Sequence, residues 1–378
     1  MRRLMVTGAA GFIGTNFVHY WVEHHPGDTV VGIDALTYAG NLSSLEPVAN
    51  HPRFTFVKGD IRDGDAVREV MKREGIDTVI HFAAESHVDR SIHGPDPFID
   101  TNVRGTHELL KVARAVWSED WSAGPTRFHH ISTDEVYGAL SPTGAPFTED
   151  SNYAPNSPYA ASKAGSDHLV RAYHRTYGLP ATTTNCSNNY GPYQFPEKLI
   201  PLTIVNALEG KRLPVYGDGL QVRDWLHVRD HCRGIERVLE KGRVGETYNL
   251  GGNSERKNID VVRGICAQLN TMFAQDEKLR EQYPKCPAAL GGDTAELVIS
   301  VPDRPGHDRR CAIDAMKATL ETGYGPAESF DSGLKKTIKW YLSNESWWRG
   351  VMDGSYRDWV ELQYGHGGRA GQGPAEQH

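Results

Sequence analysis

The chain has 378 residues, 39% of them hydrophobic, which suits one large α/β domain or two smaller ones with a substantial core. Its 41 basic and 48 acidic residues give a formal net charge of -7, so the composition offers no polybasic face for nucleic acid or an anionic membrane. The five cysteines (Cys186, Cys232, Cys266, Cys286 and Cys311) are odd in number and form no CxxC spacing, which argues against a disulfide framework or a zinc site.

Met1-Arg2-Arg3 is followed by no signal-peptide h-region, and no apolar run is long enough to span a bilayer; a cytoplasmic location is expected. Leu4–Thr7 reads as a buried strand, Phe12 to Glu23 as an amphipathic helix and Thr29–Ile33 as a second strand closed by Asp34. Between the first strand and the helix lies Gly8-Ala-Ala-Gly11-Phe-Ile-Gly14. In such a βαβ unit Gly8 permits the tight turn, Gly11 lets the backbone approach a pyrophosphate at the helix N-terminus, and Gly14 lets helix and strand pack closely. A carboxylate at Asp34 accepts hydrogen bonds from ribose hydroxyls and repels a 2′-phosphate, which favours NAD over NADP. No metal is expected.

The alternation continues. Strands are expected at Phe54–Val57, Thr78–His81, Arg127–Ser132 and Ala181–Asn185, and helices at Asp65–Arg73, Phe98–Val116 and Pro158–Tyr177. Ser157 can cap the last of these, with Pro158 in its first turn. This rhythm predicts an α/β fold, a doubly wound parallel sheet whose ligands bind at the carboxyl ends of the strands. After about residue 188 the text becomes loop-rich. Helices are expected at Lys198–Glu209, Val228–Glu240 and Asn258–Thr271, and short strands at Pro214–Tyr216 and Arg223–His227. A smaller α+β lobe over the strand ends follows. The expected division is a dinucleotide-binding domain over 1–187, a substrate lobe over 188–364 with some segments free to return to the sheet, and a flexible tail over 365–378. Residues 272–295 read as a surface insertion, and His129 and His130 as strand packing.

Thr133, Asp134 and Glu135 stand together at the end of the Arg127–Ser132 strand, and Tyr159 and Lys163 are four apart on one helix face. An ammonium near a phenol stabilises phenolate. A phenolate beside a nicotinamide can take a proton from a hydroxyl while the cofactor takes the hydride. Taken alone, Tyr-x-x-x-Lys fits a solvated helix and Asp-Glu fits a solvated loop equally well; their placement in a dinucleotide fold favours chemistry.

GAAGFIG, DALTYAGN, HFAAESHVDRS, STDEVYG, NCSNNYGP, RDWLHVRD and DRPGHDRR, together with Tyr159 and Lys163, resemble the extended short-chain dehydrogenase/reductase family over about residues 2–364. The resemblance implies a Rossmann fold and a lyase that converts dTDP-glucose to the 4-keto-6-deoxy sugar nucleotide and water. A 4-epimerase or another nucleotide-sugar 4,6-dehydratase is the alternative; the epimerases lack the acid pair. By resemblance Tyr159, supported by Lys163, is the base for C4 oxidation, Thr133 holds the C4 oxygen, Glu135 takes the C5 proton and Asp134 protonates the leaving C6 hydroxyl. NAD is matched by Gly8, Gly11, Phe12, Ile13, Gly14, Asp34, Leu36 and Thr37. Further on it is matched by Asp60, Ile61, Ala84, Thr101, Tyr159, Lys163 and Asn189. Substrate positions match at Ser86, Thr133, Asn188, Lys198, Leu199, Pro214, Val215, Tyr216, Arg223, Asn258, Arg304 and His307. Arg223 and Arg304 suit a diphosphate and Tyr216 a base, although each Arg also fits a surface ion pair. A homodimer through Phe98–Val116 and Pro158–Tyr177 is implied as well.

Overall fold

The computed structural model describes residues 1–119 and 125–352; the tail assigned to 365–378 lies outside them. In chain order the first half contains β1 (Arg3–Thr7), α1 (Phe12–His24), β2 (Thr29–Asp34), β3 (Phe54–Lys58), α2 (Gly64–Glu74), β4 (Thr78–His81) and α3 (Val88–His93). It continues with α4 (Asp96–Phe98), a π-helical stretch Ile99–Gly105, α5 (Thr106–Glu119), β5 (Arg127–Thr133), α6 (Pro158–Tyr177) and β6 (Ala181–Cys186). Then come β7 (Asn188–Tyr190), α7 (Leu199–Leu208), β8 (Leu213–Tyr216), β9 (Val222–His227), α8 (Val228–Lys241), β10 (Thr247–Leu250) and β11 (Glu255–Lys257). The chain goes on through α9 (Asn258–Gln275), α10 (Glu277–Gln282), β12 (Val298–Val301), β13 (Arg310–Cys311), α11 (Met316–Thr322), α12 (Phe330–Ser343) and α13 (Glu345–Val351).

Seven strands form one parallel sheet in the order β10-β6-β5-β4-β1-β2-β3. Side-chain alternation along the strands feeds two cores. Leu4, Val6, Val30 and Ile80 join the core under α1 and α8. Met5, Val31, Val79 and Phe128 join the core under α2, α5 and α6. The doubly wound α/β sheet is therefore present. Strand order reverses between β1 and β4, and the crevice at their carboxyl ends is where such sheets bind ligands.

The edge strand β10 was not foreseen. Its four residues, Thr247–Leu250, alternate polar and apolar over only two periods, too short a run to stand out in the sequence, yet they complete the sheet against β6. The expected helix Phe98–Val116 is a three-part helix over Asp96–Glu119. Its π stretch lets Asn102 turn inward, where it clamps the Glu85 backbone at 2.8 and 2.9 Å and Ser162 Oγ at 2.8 Å; π-bulges concentrate at functional sites.

A third core, around Ile200, Ile204, Val262, Ile265, Leu334 and Trp348, holds the second lobe together. Residues 272–295 belong to it, which corrects their reading as a surface insertion. Tyr283 and Cys286 are buried there, and Tyr283 Oη donates to the Leu342 carbonyl at 3.0 Å. The segment's buried anchors, Phe273, Tyr283, Cys286 and Ala288, are scattered among many charges and left no pattern in the sequence. No described helix is long and apolar enough to cross a membrane.

Candidate active site

The glycine turn after β1 is shaped by close approach. Gly8 has φ +69°, and a Cβ there would lie 2.7 Å from the Ala83 nitrogen. A Cβ on Gly14 would lie 2.1 Å from the Gly8 carbonyl oxygen. Both contacts are with backbone, so neither position accepts a side chain without moving the turn. Gly11, whose N–H groups downstream open α1, has no side-chain cap. The turn therefore presents bare backbone donors at a helix N-terminus, as a pyrophosphate requires.

Asp34 closes β2. Its carboxylate accepts from the Ala10 N–H at 2.9 Å and the Leu36 N–H at 2.8 Å. Burial pushes its pKa up, and these N–H groups oppose the rise. The cleft is lined by Gly8, Gly11, Phe12, Ile13, Gly14, Asp34, Thr37, Asp60, Ile61, Ala84, Thr101, Tyr159, Lys163 and Asn189, all expected to meet a dinucleotide. Leu36 is the exception. It has φ +55°, and its side chain packs against the core under α1.

The same cleft continues to Ser132–Glu135. β5 ends at Thr133, whose hydroxyl accepts from the Glu135 N–H at 3.3 Å and starts a 3-10 turn, Asp134–Tyr137. α6 begins beside it because the Ser157 hydroxyl accepts from the Ala160 N–H at 3.1 Å and Pro158 fills the first turn. Asp134 is 2% exposed. Burial, and next the charge of Glu135, push its pKa well above the carboxylate range. Both influences favour the protonated carboxyl over the carboxylate. Glu135 is half-buried beside it. Burial and then Glu135 raise the Tyr159 phenol well above its ordinary value, while a hydrogen bond with Thr133 works the other way. Lys163 Nζ donates to the Ile131 carbonyl at 2.7 Å.

Ser86, Thr133, Asn188 and Lys198 also line this cleft. Leu199, Pro214, Val215, Tyr216, Arg223, Asn258, Arg304 and His307 do not; they belong to the lobe around it. Leu199 and Val215 pack in the lobe core. The charged members are nevertheless electrostatically joined to the acid pair. Arg223 acts on Asp134 and on His307, and Arg304 feels Glu135. Lys198, whose pKa is lowered by burial, feels Glu197, Glu135 and Asp89 in return. Side-chain atoms Asn188 Oδ1, Asn258 Oδ1 and Arg304 Nε are buried with no hydrogen-bond partner among the described residues. Buried polar groups are ordinarily paired, so such atoms mark a surface made for a polar ligand.

Sequence reasoning passed over the residue that organises these groups. Asp89, on α3, accepts from Tyr216 Oη at 2.9 Å and from Arg304 Nη1 at 2.8 Å. Burial works to raise its pKa, but Arg304 outweighs that and holds it below the usual range. Its neighbour Arg90 reaches the other way. It donates to Glu197 at 3.1 Å and stacks 3.9 Å over the Tyr38 ring, in the loop after β2. Two charges directly after Ser86 were the available signal. His129 bonds Thr182 and Thr184 hydroxyls, and His130 bonds Asp167.

The family model described as GDP-mannose 4,6 dehydratase matches residues 5–337. A dTDP-glucose 4,6-dehydratase of Xanthomonas campestris pv. campestris is 57% identical, covering 94% of this chain and 98% of its own. A solved dTDP-glucose 4,6-dehydratase from Bacillus anthracis, in complex with NAD, is 46% identical with TM-score 0.80, covering 93% of this chain and 100% of its own. Another from Streptomyces venezuelae, also with NAD bound, is 47% identical with TM-score 0.80, over 92% and 99%. With matches of this depth along nearly its whole length, the chain belongs to the GDP-mannose 4,6 dehydratase family and, within it, to the dTDP-glucose 4,6-dehydratases.

Proposed function

We propose that this chain is an NAD-dependent hydro-lyase that converts dTDP-glucose to dTDP-4-keto-6-deoxy-glucose and water. The observation that carries the reading is the acid pair at the end of β5: a buried Asp134 next to a half-buried Glu135, both in the cleft with Tyr159 and Lys163. The similarity to dehydratases at up to 57% identity supports it, and an epimerase has no use for two adjacent acids.

The glycine turn, Asp34, Thr37, Asp60, Ala84 and Thr101 hold NAD. When bound, NAD accepts a hydride from C4 of the sugar and later returns it to C6. Tyr159 takes the C4 hydroxyl proton, with Lys163 stabilising the phenolate and Thr133 holding the C4 oxygen. The resulting ketone acidifies C5–H. Glu135 removes that proton and Asp134 delivers one to the C6 hydroxyl so that water leaves; as the hydride returns to C6, C5 takes a proton back. Two neighbouring carboxyls driven into opposite protonation states thereby act as base and acid in one elimination. Arg223 and Arg304 take the diphosphate and Tyr216 packs on the base.

We assign residues 1–187 to NAD binding and 188–364 mainly to the nucleotide sugar, in a cytoplasmic homodimer. The helical pair Asp96–Glu119 and α6 supports the dimer: Ile99 and Tyr177 are each 46% exposed, and light scattering tests it. The decisive experiment supplies dTDP-glucose deuterated at C4 without added reductant. Label at C6 of a 4-keto product is expected. Label remaining at C4 of a galactose product would overturn the reading in favour of epimerisation.

A further inference from the structure

Behind the reacting face of α6 lies a polar cluster that the proposed reaction does not use. Tyr159, Lys163 and Asp167 recur every four residues and share one stripe of the helix. Lys163 is 4% exposed and Asp167 6%. Asp167 accepts from three side chains: His130 Nε2 at 2.9 Å, Ser132 Oγ at 2.8 Å and Tyr153 Oη at 3.0 Å. His130 is neutral, because burial and then the charge of Lys163 hold its pKa well below the ordinary value. A neutral imidazole that donates from Nε2 leaves Nδ1 a bare acceptor, and Nδ1 has no partner among the described residues. All three donors to Asp167 are thus uncharged.

Lys163 is in the same position. Its ammonium donates to the Ile131 carbonyl, and no described carboxylate lies within ion-pair distance of it. A lone buried charge is costly. Here two of opposite sign lie one helical turn apart, where a low-dielectric interior lets them compensate across the gap.

We propose that Asp167 is a positioning residue, the buried counter-anion that keeps Lys163 an ammonium and so keeps Tyr159 able to ionise. The role for Tyr159 rests on the reaction proposed above; the link between Lys163 and Asp167 does not. Burial lowers the Lys163 pKa, and Asp167 is the foremost influence raising it, followed by Cys186 on β6. Burial raises Asp167 itself to about 6, against the pull of Lys163, Ser132, Tyr153 and His168, so above that pH it is an anion. The other titratable groups facing the pair stay neutral at mildly alkaline pH. His81 on β4 is held neutral by burial, the Cys186 thiol is pushed up to about 12, and burial raises Tyr137 and Tyr153.

The test reads Lys163 in the ligand-free full chain, by NMR of 13C-labelled lysine, with its signal assigned by loss in Lys163→Met. Asp167→Asn is expected to lower the Lys163 midpoint by about one pH unit or more. Tyr153→Phe removes a hydrogen bond but keeps the carboxylate, and is expected to leave the midpoint in place. An unmoved midpoint in folded Asp167→Asn would overturn the proposal. Thermal stability supplies the second arm, which also serves where Asp167→Asn fails to fold. Lys163→Met/Asp167→Asn is expected to be more stable than the sum of the single losses. Additive losses, or a double variant as unfolded as Asp167→Asn, would overturn it. Because no substrate is used, these results stand or fall apart from the dehydratase reading, which the C4 label tests. In turnover, the alkaline limb of the pH profile of Asp167→Asn moves to lower pH, as it must when Lys163 loses its proton earlier.

Discussion

At one end of the cleft Thr133, Asp134 and Glu135 follow one another out of β5, and Tyr159 and Lys163 lie one turn apart on α6. At the other end, in the lobe around the cleft rather than in its lining, Tyr216, Arg223, Asn258 and Arg304 come from four separate segments, and the carboxylate of Asp89, from a fifth, ties two of them together. The first end is preset by local structure: a strand exit, a capped turn and a helix start fix five side chains within about thirty residues. The second exists only once distant parts of the chain have met. On the reading proposed above, chemistry sits on regular elements and recognition on separate segments joined through the Asp89–Arg304 ion pair.

Substitutions at the two ends should therefore fail differently. The largest effect is expected for Glu135→Gln. Loss of a positioned base lowers kcat by roughly 10²–10⁴, while reduction of bound nicotinamide, followed by absorbance on mixing with substrate, persists. Full turnover by this variant would remove Glu135 from its role. At the recognition end, Asp89→Asn removes the anion that pairs with Arg304 Nη1 at 2.8 Å. KM for dTDP-glucose is expected to rise about tenfold, equivalent to ~1.4 kcal/mol, with kcat nearly unchanged. A fall in kcat with an unmoved KM would erase the contrast between the two ends.

The smallest effect concerns stability. The folded-state pKa of Asp134 is raised by burial and by Glu135, so its contribution is fully present below the unfolded carboxyl range and is lost as pH rises toward the folded value. Asp134→Asn has no such titration. Its melting temperature should match the parent in acid and exceed it increasingly as pH rises toward neutral. A constant difference across pH would show that Asp134 carries no extra proton when folded.

The same contrast governs what could be read from the sequence. The glycine turn, Asp34 and the β5–α6 residues were legible because each lies within a short repeating unit whose spacing encodes its geometry. The dimensions of the sheet were nearly so, since apolar runs such as Leu4–Thr7 and Thr78–His81 announce buried parallel strands. β10 was not, because four residues with mixed polarity become a strand only when β6 offers an edge. Asp89 was not, because its meaning depends on Tyr216 and Arg304, 127 and 215 positions away. The π stretch escaped for a similar reason: Asn102 turns inward toward Glu85 and Ser162, contacts that no helical period records. Leu36, placed beside the cofactor by motif, packs its side chain against the core under α1, as Phe12 and Ile13 in the cleft lining also do.

The return of Thr247–Leu250 to the sheet bears on any attempt to dissect the protein. β6 is buried along all six residues and pairs with β5 on one side and β10 on the other. A fragment ending at residue 187 would leave that second side as an open row of N–H and C=O groups on a strand that the full chain buries, a template for edge-to-edge aggregation. Such a fragment would also lack Asn188, Asn189 and Lys198 from the cleft, and the chain has to be synthesised through Leu250 before its first sheet is closed.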